Sequence, residues 1–319
     1  MYPSLAQSRF SDADTLEVAL NRHRETQVKQ VSLTPFDCQF LTLDYGQLHF
    51  SFVDIRTAMQ VVGTKGKECL EFSFLLEAGA QDLLSHGVRV STDMVFGFDP
   101  HREVNLVLPA HSQVCVVQIH GETFNLCTEA LGRPDLNRDF LQANYVGIPH
   151  QVREVKGYLK SLYHLALHQP QLVTQERSLH LVLEDFLPLL VDALPLPQAR
   201  QPTWPSLRRT ALVEQAQLYM ETHLDQPLTL ASLCQALHTS QRPLHYGFEQ
   251  VFGVSPMAYL KVLRLTAVRR QLRQVDPEQT TVADIASRFG FWSPGHFSRD
   301  YKNLFGELPS TTLAGGKSR

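Results

Sequence analysis

Three hydrophobic patterns follow one another along this chain. In residues 39–43, 48–53 and 70–74 apolar positions alternate with polar ones or run together. The same holds in the shorter segments 94–96, 106–108 and 114–117. Asp44-Tyr45-Gly46, Gly63, Gly79 and Asp99-Pro100 punctuate them. Many short strands at close spacing between residues 31 and 120 predict a sandwich or barrel. The period then changes, because residues 152–167 and 174–194 carry leucines at steps of three and four and predict helices. Leu179, Val182, Leu183, Phe186, Leu187 and Leu190 form one long apolar stripe. Two destinations are open for it, packing on the strands or pairing with a second copy.

Periodicity stops at residues 195–207, where Pro195, Pro197, Pro202 and Pro205 stand close together. Proline and its predecessor favour extended backbone, so this stretch reads as a semi-rigid spacer. The expected division is 1–194, β-rich with two closing helices; 195–207, linker; and 208–319, all helical. Few contacts are expected across such a linker.

The third pattern is a repeat. Leu230, Ala231, Leu233 and Leu237 recur as Val282, Ala283, Ile285 and Phe289, each 52 residues further on. Ser240, Leu244, Phe248, Phe252 and Pro256 recur as Ser293, Phe297, Tyr301, Phe305 and Pro309, now 53 residues on. Each copy predicts two helices about a tight turn. Thr229, Ser240, Thr281 and Ser293 stand at N-cap positions, and Pro243 and Pro294 fall in first turns. A helix over 256–275 separates the copies. At about 1.5 Å per residue, its some 19 residues span about 28 Å. Two reading helices that address successive major-groove segments must lie about 34 Å apart. The repeat therefore points to double-stranded DNA as partner.

Residues 208–310 resemble the DNA-binding domain of the AraC/XylS family of bacterial transcription regulators. The first copy carries the resemblance in Leu230-Ala231-x-Leu233, Leu244-x-x-x-Phe248-x-x-x-Phe252-Gly253-x-Ser255-Pro256 and Tyr259-Leu260-x-x-x-Arg264-Leu265. The second carries it in Val282-Ala283-x-Ile285-Ala286-x-x-x-Gly290-Phe291 and His296-Phe297-Ser298-Arg299-x-Tyr301-Lys302-x-x-Phe305-Gly306. Gly290-Phe291-Trp292 and the ending over 304–310 look like the branch that includes ethanolamine-operon regulators. The polar face opposite each buried stripe supplies the expected DNA-binding residues. They are Gln241, Arg242, His245 and Tyr246 in the first copy, and His296, Ser298, Arg299 and Lys302, beside Gly295, in the second. Arg242 and Arg299 suit bidentate contact with guanine, and Lys302 suits phosphate. At most one of Arg264, Arg269, Arg270 and Arg273 is expected to touch phosphate. His238 stands where the first turn often carries glycine, and histidine tolerates a left-handed backbone there.

The resemblance implies an α+β chain: an N-terminal cupin-like β-barrel or sandwich with following helices, then two helix–turn–helix modules. It also implies a homodimer that answers a small-molecule effector, engages RNA polymerase and acts as an activator. Charge is consistent with this. From Arg208 onward 13 Lys plus Arg face 9 Asp plus Glu, a net of +4, and the rest of the chain carries −7. Cys38, Cys69, Cys115, Cys127 and Cys234 show no paired spacing, which fits a reducing compartment and no zinc site. The start, Met1-Tyr2-Pro3-Ser4, lacks the build of a secretory signal. The longest apolar run, 179–190, contains Glu184, Asp185 and Pro188. A cytoplasmic location without membrane contact is expected. The histidines lack the spacing of a cupin metal site, and His164 and His168 lack the glutamate of H-E-x-x-H, so no metal or cofactor is expected. Gly63-Thr64-Lys65-Gly66-Lys67 is too short for a phosphate loop and reads as a basic hairpin turn. No catalytic pair has informative spacing, so no enzyme is expected. The alternative is a barrel with an enzymatic or purely structural role and constitutive DNA binding.

Overall fold

A computed structural model of the chain describes residues 3–21, 25–66, 69–147, 152–195 and 207–315. The first elements are β1 (Ser4–Phe10), α1 (Ala13–Leu20), β2 (Thr26–Gln30), β3 (Cys38–Asp44), β4 (Leu48–Ile55) and β5 (Met59–Gly63). Next come β6 (Cys69–Glu77), β7 (Leu83–Ser85), β8 (Val88–Val90), β9 (Met94–Phe96), β10 (Val104–Leu108) and β11 (Ser112–His120). After α2 (Gly121–Ala130), α3 (Arg138–Gln142) and β12 (Tyr145–Gly147) come α4 (Val152–His168), α5 (Pro170–Val173) and α6 (Glu176–Leu181). A π-helical turn (Val182–Phe186) leads into α7 (Leu187–Ala193). The C-terminal region holds α8 (Leu207–Thr222), α9 (Leu230–Ala236), α10 (Gln241–Phe252), α11 (Pro256–Gln274), α12 (Val282–Arg288), α13 (Pro294–Phe305) and α14 (Pro309–Gly315).

The strands form two antiparallel sheets, β1-β3-β4-β11-β6-β9-β12 and β2-β5-β10-β7-β8. Alternation decides what each face of the larger sheet meets. Leu41, Phe52, Cys115 and Phe74 lie side by side in register. They share one core with Leu159, Leu162, Phe186 and Leu190 of the helical layer. Phe40, Val53, Val114 and Leu75 point the other way, toward the smaller sheet.

The predicted strands are present, and three early elements went unread. β1 is an edge strand with mostly exposed residues, so nothing in it alternates. α1 and β2 precede the segment that reads as strands. The expected helix over 174–194 is interrupted: Thr174 ends α5, and the π turn lies just ahead of Pro188. Pro188 has no amide to donate to the carbonyl four residues back, which widens the local register. Of the apolar stripe, Val182, Phe186, Leu187 and Leu190 are buried against the sheet. The basic segment after Gly63 is no hairpin, because β5 and β6 belong to different sheets; its Lys67 lies outside the described residues.

Most of the linker, residues 196–206, also lies outside the described residues. The expectation of few contacts across it is overturned. Val31, Ala58, Leu84 and Val107 of the β-rich region share a core with Val213, Ala216, Phe248 and Tyr259. Gln217 donates to Oε1 of Gln60 on β5 and to the Tyr259 hydroxyl on α11, both at 2.7 Å. Lys29 pairs with Glu221 at 2.6 Å. Gly87, at φ +73°, brings its backbone so near Thr210 of α8 that a Cβ would stand 2.4 Å from the threonine methyl. Proline content restricts the linker itself; it says nothing about surfaces that meet beyond it.

Candidate nucleic-acid interface

Both C-terminal modules are assembled by the same local chemistry. Thr229 opens α9 with a capping box, accepting from the Ser232 amide while Ser232 Oγ accepts from the Thr229 amide. Thr281 opens α12 with Asp284 in the same role. Each box satisfies two amides that a helix start leaves orphaned. The turns that follow need left-handed backbone, supplied by His238 (φ 47°) and by Gly290 (φ 81°). The histidine tolerance expected at the first turn is thus realised. Ser240 and Ser293 occupy the N-cap positions of α10 and α13, but neither side chain makes a capping bond. In α10 the third position is Pro243, which has no amide to give. Gly253 and Gly306, both left-handed, close the two helices.

Burial then fixes which face points outward. Leu244, Phe248 and Phe252 of α10 are buried, as are Phe297, Tyr301 and Leu304 of α13. On the opposite faces, Gln241, Arg242, His245 and Tyr246 are exposed, as are His296, Arg299 and Lys302; Ser298 is half-buried. Each of the two helices thus carries one buried apolar face and one largely exposed polar face. The Tyr246 hydroxyl accepts from Gln250 at 3.0 Å. Arg299 donates to Nδ1 of His296 at 3.0 Å. That bond requires the neutral histidine tautomer with its proton on Nε2, so the pair presents guanidinium and imidazole donors side by side. Trp292 was missed as a candidate. It is 80% exposed and immediately precedes Ser293 and α13. The available signal was an aromatic residue outside the buried i, i+4 stripe.

The four arginines of α11 are engaged within the chain. Arg264 donates to the carbonyls of Leu224 and Gln226, tying the α8–α9 loop to α11, and its burial lowers its pKa. Arg269, only 6% exposed, lies between Asp12 (3.6 Å) and Glu307 (3.3 Å), with its guanidinium 4.5 Å from the centre of the Phe305 ring. Arg270 pairs with Asp14 at 2.9 Å, and Arg273 reaches Asp14 at 3.2 Å and Asp12 at 3.5 Å. The residues that hold the last three, Asp12 and Asp14, cap and begin α1, over 250 positions away.

The other face of α1 closes a cavity. Leu16, Ala19 and Leu20 line a space of about 350 Å³ between the two sheets. Its walls are mainly apolar, from Phe10, Phe40, Val61, Phe96 and Leu106, with Lys65, Glu71, His86 and Gln118 among them. His86 bonds through Nε2 to the Glu103 carbonyl at 2.8 Å and faces the Tyr145 hydroxyl through Nδ1 at 3.2 Å. Burial first, then the nearby Arg102 charge, lower its pKa to about 4, so the imidazole is neutral at ordinary pH. Burial pushes the Cys38 thiol up to about 12 and raises Cys115 strongly, which suits packing and not nucleophilic chemistry.

Residues 233–315 match the family described as a helix-turn-helix domain. Over 95 residues the chain is 40% identical to a probable thc operon regulatory protein of Rhodococcus erythropolis, covering 30% of this chain and 29% of that protein. It is 33% identical over 95 residues to XylDLEGF operon transcriptional activator 3 of Pseudomonas putida, with the same two shares. Among solved structures, a probable AraC family transcriptional regulator from Rhodopseudomonas palustris is 36% identical, covering 33% of this chain and 97% of that one, with a TM-score of 0.31. The chain spans 29% of the length of these two curated relatives. Among the described residues no single helix is long and apolar enough to cross a membrane.

Proposed function

We propose that the whole chain is a sequence-specific transcription activator of the AraC/XylS type, on the likeness of its C-terminal region to a helix-turn-helix family and to operon regulators. It reads two successive major-groove segments, the first through Gln241, Arg242, His245 and Tyr246 on α10. The second is read through His296, Ser298, Arg299 and Lys302 on α13. The observation that carries this reading is the matched pair α10 and α13, each with an apolar stripe buried and its polar side chains largely exposed. Between them α11, with 19 residues, is itself about 28 Å long at 1.5 Å per residue. Bending of the duplex closes the gap to its repeat of about 34 Å. Residues 1–194 form the control unit, 195–207 the linker and 208–319 the DNA-reading unit. The test is genome-wide mapping of binding sites followed by quantitative binding to the sites found. A protein that binds all duplexes alike would sink the proposal.

The β-rich unit senses a small effector in the cavity between its sheets. Helix α1 supports this, because Leu16, Ala19 and Leu20 face the cavity while Asp12 and Asp14 hold arginines of α11. Occupancy that displaces α1 loosens that hold and lets the two modules align on DNA. The expected outcome for Asp12→Asn/Asp14→Asn is raised DNA affinity without effector. Unchanged affinity would remove α1 from the control path. Leu126, Leu131, Leu167, Leu172 and Leu181 are exposed on the helical layer and offer apolar surface to a second copy and to RNA polymerase.

A further inference from the structure

The two modules differ by one residue in the turn, and the hydrogen bonds show which. In the first turn the Thr239 amide donates to the Cys234 carbonyl at 3.0 Å; in the second the Phe291 amide donates to the Ala286 carbonyl at 3.0 Å. These two bonds match 52 residues apart. The N-caps that follow, Ser240 and Ser293, match 53 residues apart. The first module passes from Thr239 straight to Ser240, whereas the second inserts Trp292 between Phe291 and Ser293. Phe291 turns inward and packs on the second core, its ring 5.1 Å from that of Phe297. Trp292 is left 80% exposed.

The first module closes its turn without such a residue, so the turn does not require the indole. Leaving a ring of that size in water forgoes the stabilisation that burial would bring. At the edge of a polar interface it gains by being covered there with its N–H given to an acceptor. The residues that follow are open as well. From Trp292 to His296 every residue is exposed. The Ser293 side chain makes no capping bond, which leaves the first-turn amides of α13 to an outside acceptor. Gly295 lies in that turn, and a Cβ there would meet nothing within 4 Å. It is not left-handed either. Neither backbone conformation nor a neighbour demands glycine, which weakens a helix relative to alanine. A backbone left bare on an exposed helix start admits a partner to close approach.

The partner follows from how helix–turn–helix modules dock. The second helix enters the major groove by its start, and the helix before it crosses the backbone. The link between α12 and α13 then passes the groove edge, where a duplex offers deoxyribose faces and phosphate oxygens. We propose that Trp292 and Gly295 form a seat for the sugar–phosphate backbone at the edge of the groove that α13 enters. The indole covers a deoxyribose and its N–H donates to a phosphate oxygen, while the backbone at Gly295 approaches the same strand. Contacts of this kind position a protein on DNA without reading sequence. The seat rests on the reading of α13 as a recognition helix and adds an anchor with no counterpart in the first module.

The chain has two tryptophans, Trp204 and Trp292. Trp204→Phe therefore leaves Trp292 as the fluorescent reporter in the full chain. Acrylamide quenching is compared without DNA and with two duplexes, one carrying a site found by genome mapping and one with that site scrambled. Both duplexes should shield Trp292 at saturation. Trp292→Ala should weaken binding to both about tenfold, or about 1.4 kcal/mol, and leave the preference between them unchanged. Trp292→Phe keeps an apolar ring and loses the donor, so its affinity should fall between the two. Gly295→Ala should also weaken both duplexes while raising the unfolding midpoint, the opposite sign from a damaged fold. Duplex binding that leaves Trp292 open to acrylamide, undiminished affinity in the Trp292→Ala or Gly295→Ala chain, or a loss confined to the specific site would each overturn the seat. A chain that binds duplex with Trp292 still open keeps the proposed function and loses this inference. A chain that binds no duplex loses both.

Discussion

The two helix–turn–helix modules repeat one pattern of apolar, capping and turn positions, yet they stand in different surroundings. The first shares its core with the β-rich region, where Phe248 and Tyr259 pack in one cluster with Val31, Ala58 and Val107. The second closes a core of its own from Ile285, Phe297, Tyr301 and Leu313, touched from the β-rich region by Leu33. The first module thus shares an apolar core with the β-rich region, whereas the second is tied to it mainly by the ion pairs of Arg269, Arg270 and Arg273 with Asp12 and Asp14. Coupling enters through α8 and α11, where Gln217 bridges Gln60 to Tyr259. On the proposed function, a signal from the β-rich region reaches the first module and the helix that spaces the second.

The largest test of that difference is in the cores. Phe248→Ala and Phe297→Ala should each cost about 3–5 kcal/mol, since both rings are fully packed. Phe248→Ala should lower the unfolding midpoint of the β-rich region together with its own module. Phe297→Ala should open α12 to α14 and the part of α11 that shares their core, leaving the β-rich region closed. Hydrogen exchange resolved by segment distinguishes them, and equal spreading of both lesions would dissolve the contrast.

The next test is at the readers. Arg242→Ala and Arg299→Ala should each cost about 1–3 kcal/mol on a specific site and relax preference at one base pair. The two affected positions should lie about 10 bp apart. Lys302→Ala should instead weaken all sequences alike and reduce the salt slope by about one unit. Binding to a panel of single-base operator variants at two salt concentrations measures all three. Uniform losses for both arginine variants would make them phosphate clamps.

The smallest effect lies in the capping boxes. Hydrogen bonds from the Thr281 hydroxyl and amide hold the Asp284 carboxyl below its ordinary value of 3.8. A depressed carboxyl pKa adds stability that is present above the unfolded value and lost as pH falls through the folded one. Acid titration from pH 4 downward should therefore fray the start of α12. The start of α9 should hold, because Ser232 in the matching box does not titrate. NMR of the amides of Ser232 and Asp284 follows both ends in one experiment; simultaneous loss would mean global unfolding and not cap protonation.

Much of the interface was legible because its logic is local. The stripe Leu244, Phe248, Phe252 and its copy obey helical spacing, so the outward faces follow from the buried ones. Thr229 and Thr281 cap as read, since a capping bond spans only three residues. Trp292 stands outside the buried stripe, a weak signal that its exposure makes plain. β1 and α1 were silent for a related reason, as an exposed edge strand and a short two-faced helix carry weak patterns.

The sequence by itself determined the order of strands, helices and linker, the doubled module and the residues on its outward faces. Each depends on repetition within a few positions or between two copies. Tertiary structure decided where the α11 arginines go, which surfaces meet across the linker, and which side chains line the space between the sheets. Those outcomes depend on pairings such as Arg270 with Asp14, 256 residues apart, or Gln217 with Gln60, 157 apart. No period in the chain encodes a contact at such separations; it exists only after two independently formed surfaces have docked.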